Sequence, residues 1–154
     1  MGEGQGQEGA PRLNIRRLTE DDKPILKSMI AWDMDHTAKA LQPEFFYAHG
    51  LCLCFEDEDG PVFYVRLDCE TSVNHPITQS PDTVRVHIQF DERIPLRTLR
   101  TLKQGFEVVK DRCRVAGARR MVFDSLSPHL RTFCRRRFGF RDVPGTADLE
   151  LEPI

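Results

Sequence analysis

The chain has 154 residues, with 22 Lys and Arg against 24 Asp and Glu and a formal net charge of -2. This length suits one domain with a substantial core, and the balanced charge gives no reason to expect nucleic acid or an anionic membrane surface as a partner. No apolar run approaches the roughly 20 residues that cross a bilayer, and the polar start MGEGQGQEGAP has no apolar core of the kind found in secretory signals. We therefore expect a cytoplasmic protein, with a disordered tail over residues 1–12 and one domain over residues 13–154.

Five cysteines occur at positions that match neither a disulfide framework nor a zinc-binding pattern. The count is odd, and Cys52 and Cys54 stand two apart in a strand-like run, which favours reduced thiols that act as small apolar side chains. No ligand spacing joins the cysteines to the histidines His36, His49, His75 and His129. We therefore expect no metal site.

The first elements are a strand and a helix. Residues 13–18, LNIRRL, alternate apolar and polar side chains and predict a strand. Thr19, followed by acids at positions 20–22, predicts an N-cap at the positive end of a helix dipole. The buried face of this helix is marked by residues at helical spacing, namely Ile25, Met29 and Trp32. A bent or broken helical stretch should continue over residues 35–41 and end at Pro43.

Three further strands follow. Residues 51–55 and 62–67 are strand-like runs joined by the acidic turn EDEDGP, in which Gly60 supplies the positive φ that a tight hairpin needs. Residues 71–81 are rich in Ser, Thr, Asn and Pro and predict a loop. Residues 83–90 then alternate cleanly, with one face formed by Val84, Val86, Ile88 and Phe90 and a wetter face formed by Arg85, His87 and Gln89.

The long amphipathic helix from about Pro95 to Ala116 is the clearest element. Its apolar stripe has spacings of three and four and consists of Leu96, Leu99, Leu102, Phe106, Val109, Cys113 and Ala116. Gly117 stands where a C-terminal glycine ends a helix. Residues 118–124 predict a strand that is buried on both faces. A strand, a helix and a strand in this order usually make a right-handed parallel unit, although antiparallel placement stays open.

A short helix and a last strand complete the predicted domain. Ser127 and Pro128 open the helix, Gly139 ends it, and its inward side chains are Leu130, Phe133, Cys134 and Phe138. Residues 147–151 predict a last strand at the edge of the sheet. The predicted fold class is therefore α/β, with a mixed sheet of six to seven strands flanked by about four helices.

Four segments in this order resemble the GNAT superfamily of N-acetyltransferases. IRRLTEDD resembles that family's first strand and acid-capped helix, and FEDEDGPVFYVRL resembles its second and third strands. GARRMVFDS, followed by LRTFCRRRFGFRDVPG, resembles its fifth strand, its fourth helix and the turn into its sixth strand. The resemblance covers about residues 13–152. It implies a single-domain GNAT-like fold and the transfer of an acetyl group from acetyl-CoA to an amine, either a small molecule or a peptide, by direct attack.

The chain departs from the family at the segment that binds the cofactor. GNAT enzymes follow the fourth strand with a Gln/Arg-x-x-Gly-x-Gly/Ala loop, whose backbone N–H groups bind the pyrophosphate of coenzyme A. The two glycine positions fall near Arg100 and Leu102 here, and the apolar stripe that starts at Leu96 predicts a helix that begins early and replaces the loop. By resemblance, the cofactor would lie along Phe90, Arg97, Thr98, Leu99, Arg100 and Thr101. Arg97, Arg100 and Lys103 form either an anion site in place of the glycines or a solvated cationic face.

The resemblance also points to catalytic residues. The family often keeps a general base, or a water bound to one, on the polar face of its fourth strand, where His87 stands; Asp91 and Glu92 lie just beyond that strand. The alternative for His87 is a surface or hydrogen-bonded histidine without a catalytic role. Many members supply the general acid from a Tyr in the fourth helix, but that position holds Arg135, which cannot donate a proton at neutral pH. The acid would then come from elsewhere.

Two groups of residues keep alternative interpretations. The basic last helix and its exit are either paired with the chain's own acids, such as those at positions 56–59, or form an anion site; they comprise Arg131, Arg135, Arg136, Arg137 and Arg141. Trp32 and Tyr47 either line a substrate cleft or pack in the core. For the whole chain, the alternative to an enzyme is a catalytically degenerate GNAT-fold domain that acts as a binding or dimerisation module, as a monomer or a homodimer. That alternative predicts a cleft between the fourth and fifth strands closed by side chains, or a dimer formed through the last strand.

Overall fold

The computed structural model describes residues 12–33, 42–47, 51–70, 82–125 and 127–154. Three parts of the sequence prediction lie outside these residues, namely positions 1–11 of the tail, the helical stretch at 35–41 and the loop at 71–81. Within the described ranges the chain forms one seven-stranded sheet, three α-helices and a 3-10 helix. The predicted α/β class and mixed sheet are confirmed, with three α-helices described against the expected four.

The sheet is mixed because one pair of neighbouring strands runs parallel. Its strands are β1 (Asn14–Arg17), β2 (Leu51–Asp57), β3 (Gly60–Glu70), β4 (Thr83–Phe90), β5 (Arg120–Asp124), β6 (Arg141–Asp142) and β7 (Asp148–Leu151). The helices are α1 (Asp22–Trp32), α2 (Pro95–Val115) and α3 (Pro128–Phe138), and the 3-10 helix is Pro43–Tyr47. The strand order is β1-β2-β3-β4-β5-β7-β6, and β4 and β5 are parallel while the other neighbours are antiparallel. The long helix α2 crosses between β4 and β5, which a parallel connection requires, so the parallel unit is confirmed.

The larger core lies on the face of the sheet that α2 and α3 cover. Alternating strand residues point into it, among them Phe55, Phe63, Val65, Val84, Val86, Met121 and Phe123. The helices contribute Leu102, Phe106, Val109, Leu130 and Cys134. Within α2, Gly105 allows a close approach to β2, because a Cβ at this position would lie 2.6 Å from the ring of Phe55.

A smaller core lies on the opposite face under α1 and the 3-10 helix. It consists of Leu26, Met29, Phe46, Cys54 and Tyr64, with Tyr47 packed against it. The prediction that Trp32 belongs to the buried face of α1 is wrong, since this last residue of the helix is 56% exposed. The prediction that Leu96 belongs to the buried stripe of α2 is also wrong, with 77% exposure in the first turn. Helical spacing identifies a face, but it does not show where a helix extends past the sheet on which it packs.

The start of α1 is held by a buried carboxylate rather than by a threonine cap. Asp21 occupies the N-cap position without a side-chain hydrogen bond, so the predicted cap at Thr19 is wrong. Asp22 is buried and accepts hydrogen bonds from Arg16 at 2.8 and 3.0 Å, from the Thr19 N–H at 2.7 Å and from the Tyr64 hydroxyl at 2.6 Å. Burial opposes the ionised form, but these donors, Arg16 foremost, outweigh it and lower the pKa of Asp22 to about 2.

The ends of α2 and α3 follow the predicted signals. Ser127 caps α3, accepting the Leu130 N–H at 3.3 Å, and Gly139 ends it in the left-handed conformation at φ 78°. Gly117 follows α2 with φ 90°. The prediction that the last strand forms the edge of the sheet is wrong, because β7 lies between β5 and β6. The two-residue strand β6 covers its outer side and is too short to give a periodic signal in the sequence.

All five cysteines are unpaired, Cys69 is exposed, and the others are buried. In the described ranges, no helix combines the length and the apolar character that crossing a bilayer would require.

Candidate functional site

The strands β4 and β5 separate part of the way along the sheet. Their parallel ladder joins residues 83–85 of β4 to residues 120–122 of β5. Beyond Arg85, β4 continues to Phe90, while β5 ends at Asp124 and pairs with β7 on its other side. A gap therefore opens between β4 and β5 beyond Arg85, and side chains from both faces of the sheet lie next to it.

On the helix-covered face, an apolar cavity of about 30 Å³ lies behind this gap. The strands contribute Val65, Val86, Ile88, Met121 and Phe123, and the helices and the turn after α3 contribute Leu102, Phe106, Val109, Leu130, Cys134, Phe138 and Phe140. The rings of Phe106 and Phe138 stack with their centroids 3.8 Å apart. The cavity is small, so side chains occupy most of the space between the strands and the helices.

On the opposite face, His87 lies on the part of β4 that extends past the ladder. Its Nε2 lies 3.1 Å from Oδ2 of Asp68 on β3. Phe45 of the 3-10 helix meets the imidazole edge to face, with ring centroids 4.9 Å apart. Burial lowers the pKa of His87 below its usual 6.5, although the carboxylate of Asp68 acts in the opposite direction. The imidazole is therefore neutral at pH 7 and able to accept a proton.

The second predicted base, Asp91, is engaged in an ion pair. It is buried and accepts hydrogen bonds from Arg93 Nε and Nη2, both at 2.8 Å, and from the Arg93 N–H at 2.9 Å. Burial would raise the pKa of Asp91, but the bonds from Arg93 outweigh it and hold the pKa below its usual value. A carboxylate stabilised in this way is a weak base near neutrality, so the geometry favours His87 over Asp91 as a proton acceptor.

The residues predicted to contact the cofactor lie at the end of β4 and on the first turns of α2. Phe90 packs against the larger core, Thr98 and Thr101 are buried, Leu99 is half-buried and Arg100 is exposed. The helix begins at Pro95, after Ile94 at the N-cap, so positions 100 and 102 lie inside it. The Thr98 hydroxyl donates to the Ile94 carbonyl at 3.1 Å.

Arg97 is an ion-paired residue rather than part of a solvated face. Its guanidinium donates from Nε to Asp57 at 2.6 Å and from Nη2 to the Gly60 carbonyl at 2.9 Å. Both partners belong to the acidic hairpin between β2 and β3. The start of α2 is thereby attached to that hairpin.

Three of the five basic side chains on α3 and β6 pair with the chain's own acids, which is one of the two predicted alternatives, but their partners are not the predicted acids. Arg131 and Arg135 contact Asp142 at 3.5 and 2.7 Å, and Arg141 lies 3.7 Å from Glu150. The hairpin acids at positions 56–59 were the wrong partners for α3, since Asp57 binds Arg97 and Glu56 binds Arg16. Arg136 and Arg137 are exposed.

Sequence reasoning missed the surroundings of His87. Arg66 and Asp68 of β3 lie on the same face of the sheet as His87, because Arg66 is the direct cross-strand partner of His87 and Asp68 is two positions further along β3. Arg66 Nε donates to Asp68 at 2.9 Å, Nη1 donates to the Phe45 carbonyl at 2.7 Å, and the guanidinium lies over the Phe45 ring. The alternation of β3 was the available signal, but its register against β4 depends on the connection at 71–81, which the sequence leaves open.

Two further observations concern metal ligands and the charged residues at the gap. Among the described residues, no three His, Cys, Asp or Glu side chains group as a metal would require, and His36, His49 and His75 lie outside those residues. At the point where β4 and β5 separate, Arg85 binds Asp148 of β7 through two bonds of 3.0 Å and lies 3.6 Å from Asp124 of β5.

Several solved structures with a similar fold are described as acetyltransferases or GNAT domains. An N-acetyltransferase from Staphylococcus aureus Mu50 is 15% identical, with a TM-score of 0.63, and the match covers 93% of this chain and 99% of that one. The GNAT domain of S. lividans PAT is 17% identical, with a TM-score of 0.61 and 91% and 90% of the two chains covered. The inferred acetyltransferase yncA from Salmonella typhimurium, solved with its cofactor acetyl-CoA, is 12% identical, with a TM-score of 0.66 and 92% and 94% covered.

These similarities establish the fold. At identities below 20% the likeness is one of architecture, and the chain has the fold of the GNAT acetyltransferases. No protein-family model matches the sequence, and no curated protein matches it.

Proposed function

We propose that the protein is an N-acyltransferase that transfers an acetyl group from acetyl-CoA directly to an amine. The observation that carries the proposal is the position of His87, a neutral imidazole next to the gap where β4 leaves β5. The apolar cavity lies on the other face of the same stretch of β4, lined by Val86 and Ile88. An acyl donor in the cavity and an amine near His87 would meet at the gap.

The chain's own chemistry in this reaction is proton transfer. Nε2 of His87 faces Asp68, so Nδ1 carries the lone pair that would take the proton from the attacking amine. Acetyl-CoA would supply the activated thioester. Arg135 forms an ion pair with Asp142 and supplies no proton, so the protonation of the leaving thiolate falls to another group.

The residues fit acetyl-CoA in character. The lining of the cavity is apolar, which suits the hydrocarbon part of the pantetheine arm. Phe90 and the first turns of α2, Arg97 to Thr101, would lie along the pyrophosphate, where the positive end of the helix dipole favours an anion. The cavity is small, at about 30 Å³, so binding of the pantetheine arm would need its lining side chains to move.

A second candidate function is a GNAT-fold domain that binds a partner without catalysis. The small cavity and the commitment of Arg97 to the hairpin support it. This candidate does not use β7 as a free edge, because β7 pairs with β5 on one side and with β6 on the other. Size-exclusion chromatography with light scattering distinguishes a monomer from a homodimer. The cytoplasmic location and the single domain over residues 13–154 remain predictions.

Calorimetry and turnover separate the two functions. Titration with acetyl-CoA and with CoA should give binding, and CoA release in the presence of small amines or peptide N-termini should be measurable with a thiol reagent. His87→Ala should abolish release, whereas His129→Ala, at an exposed position on α3, should leave it unchanged. If neither cofactor binds at millimolar concentration, the enzyme proposal fails and the binding module stands.

A further inference from the structure

We propose that Asp68 is the positioning residue of the site: it holds His87 as the tautomer with its proton on Nε2, so that Nδ1 is the proton acceptor. This inference rests on the proposed function of His87. It adds a residue on a different strand, and it can be tested without acyl transfer.

The strand register brings the two side chains together. Arg66 is directly opposite His87, and Asp68, two positions further along β3, is its diagonal neighbour on the same face. Oδ2 of Asp68 lies 3.1 Å from Nε2 of His87, and Oδ1 accepts the Arg66 Nε–H at 2.9 Å. Each carboxylate oxygen thus has one partner, and Arg66 fixes the orientation in which the other oxygen faces the imidazole.

The 3-10 helix restricts the remaining freedom of the imidazole. Phe45 contacts the His87 ring edge to face, with an interplanar angle of 81°. The same Phe45 is held by Arg66, whose guanidinium carbon lies 4.1 Å from the ring centroid and whose Nη1 donates to the Phe45 carbonyl. A carboxylate that accepts one imidazole N–H fixes both the tautomer and the ring orientation, which is the role of the acid in hydrolytic triads.

The charges around His87 come from three strands and act in opposite directions. Asp68 on β3 and Asp124 on β5 favour the imidazolium, while Arg66 on β3 and Arg85 on β4 oppose it. Glu44 of the 3-10 helix is exposed. Burial is the largest effect and keeps the imidazole neutral, so the contribution of Asp68 is orientation rather than the formation of a permanent ion pair.

The near-isosteric variant Asp68→Asn reverses the hydrogen bond. Arg66 can only donate, so the Asn carbonyl oxygen must face Arg66, and the Asn amide N–H groups then face His87. Nε2 becomes an acceptor and the proton moves to Nδ1. In the proposed reaction Nδ1 must be unprotonated in order to accept the proton of the amine.

The test measures the chemical shifts of the two His87 ring nitrogens by long-range NMR correlation. It uses the full chain without any acyl donor. The wild type should show the Nε2–H tautomer and Asp68→Asn the Nδ1–H tautomer, whereas Asp124→Asn, a control that removes a carboxylate next to Arg85, should keep the wild-type tautomer. Asp68→Ala, which lacks both oxygens, should give a mixture of tautomers. An unchanged tautomer in both Asp68 variants, with the fold intact by circular dichroism, overturns the inference.

Turnover provides an independent second measurement. Asp68→Asn should lower kcat for CoA release by about 100-fold or more, with KM for the amine nearly unchanged, because the loss is in proton transfer and not in binding. If KM for the amine rose by the same factor by which kcat fell, the result would contradict a positioning role. The two proposals can also fail separately. If Asp68→Asn switches the tautomer but the wild type shows no turnover, the proposed function is refuted and the Asp68–His87 hydrogen bond is established.

Discussion

The buried carboxylate of Asp22 gives the sharpest prediction for stability. It is 1% exposed and accepts hydrogen bonds from Arg16, the Thr19 N–H and Tyr64, so the start of α1, β1 and β3 meet at one side chain. Asp22→Asn keeps the shape and removes the charge. Because removal of one partner of a buried ion pair costs roughly 3 to 5 kcal/mol and Arg16 remains partly solvated, we expect a loss near the lower end, about 3 kcal/mol at pH 7.

The pH dependence of this loss can be worked out from the pKa. Asp22 has a pKa of about 2 in the folded chain against a usual value of 3.8, a difference that corresponds to about 2 kcal/mol. A lowered pKa means that the folded chain binds this proton less readily than the unfolded chain. The stabilisation is therefore complete above pH 3.8 and is lost as the pH falls through 2.

Urea denaturation of the wild type and Asp22→Asn between pH 7 and pH 2 measures both quantities. The difference in free energy of unfolding between the two proteins should shrink by about 2 kcal/mol between pH 5 and pH 2. Asp21→Asn, at the exposed neighbouring position without a side-chain hydrogen bond, should change the stability by less than about 0.5 kcal/mol at every pH. A difference for Asp22→Asn that does not vary with pH would refute the assignment of a lowered pKa to this group.

Three more measurements test a packing contact, a helix cap and the exposure of a side chain. Gly105→Ala should destabilise the chain by about 1 to 2 kcal/mol in urea denaturation, because overpacking against the Phe55 ring exceeds the gain of about 1 kcal/mol in helix propensity. Combining it with Phe55→Leu should cost less than the sum of the two single losses, and strict additivity would argue against the contact. Ser127→Ala removes the bond to the Leu130 N–H and should cost about 1 kcal/mol in thermal denaturation, with Ser127→Asp as a variant that retains the cap. Trp32, the single tryptophan, should show fluorescence that acrylamide quenches readily in the folded protein, and a protected indole would contradict its exposure.

Elements with strong local signals could be predicted from the sequence. The alternation of residues 83–90 defines β4 with its observed bounds, and the glycine and serine signals place the ends of α2 and α3. These features depend on a few neighbouring residues, which the sequence contains in full. The errors at Trp32 and Leu96 arise at helix ends, where burial depends on the length of the facing sheet rather than on periodicity.

The candidate site could be predicted only in part. His87 follows from the polar face of β4, but its partner Asp68 belongs to another strand and needs a register that the connecting segment leaves open. The ion pair between Arg97 and Asp57 likewise joins residues far apart in the chain, so the sequence offered only a cationic helix face. Long-range pairing of charges is the part of the structure that the sequence pattern does not encode locally.

The placement of β7 between β5 and β6 has a consequence for the order of assembly during synthesis. β6 precedes β7 in the chain but lies outside it, so β6 has no neighbour in the sheet until β7 has been translated and inserted. Until then, β5 presents an unpaired row of backbone donors and acceptors next to an apolar core. We therefore expect nascent chains stalled before Asp148 to self-associate more than chains that include β7, and light scattering of released fragments that end before and after this strand would measure the difference.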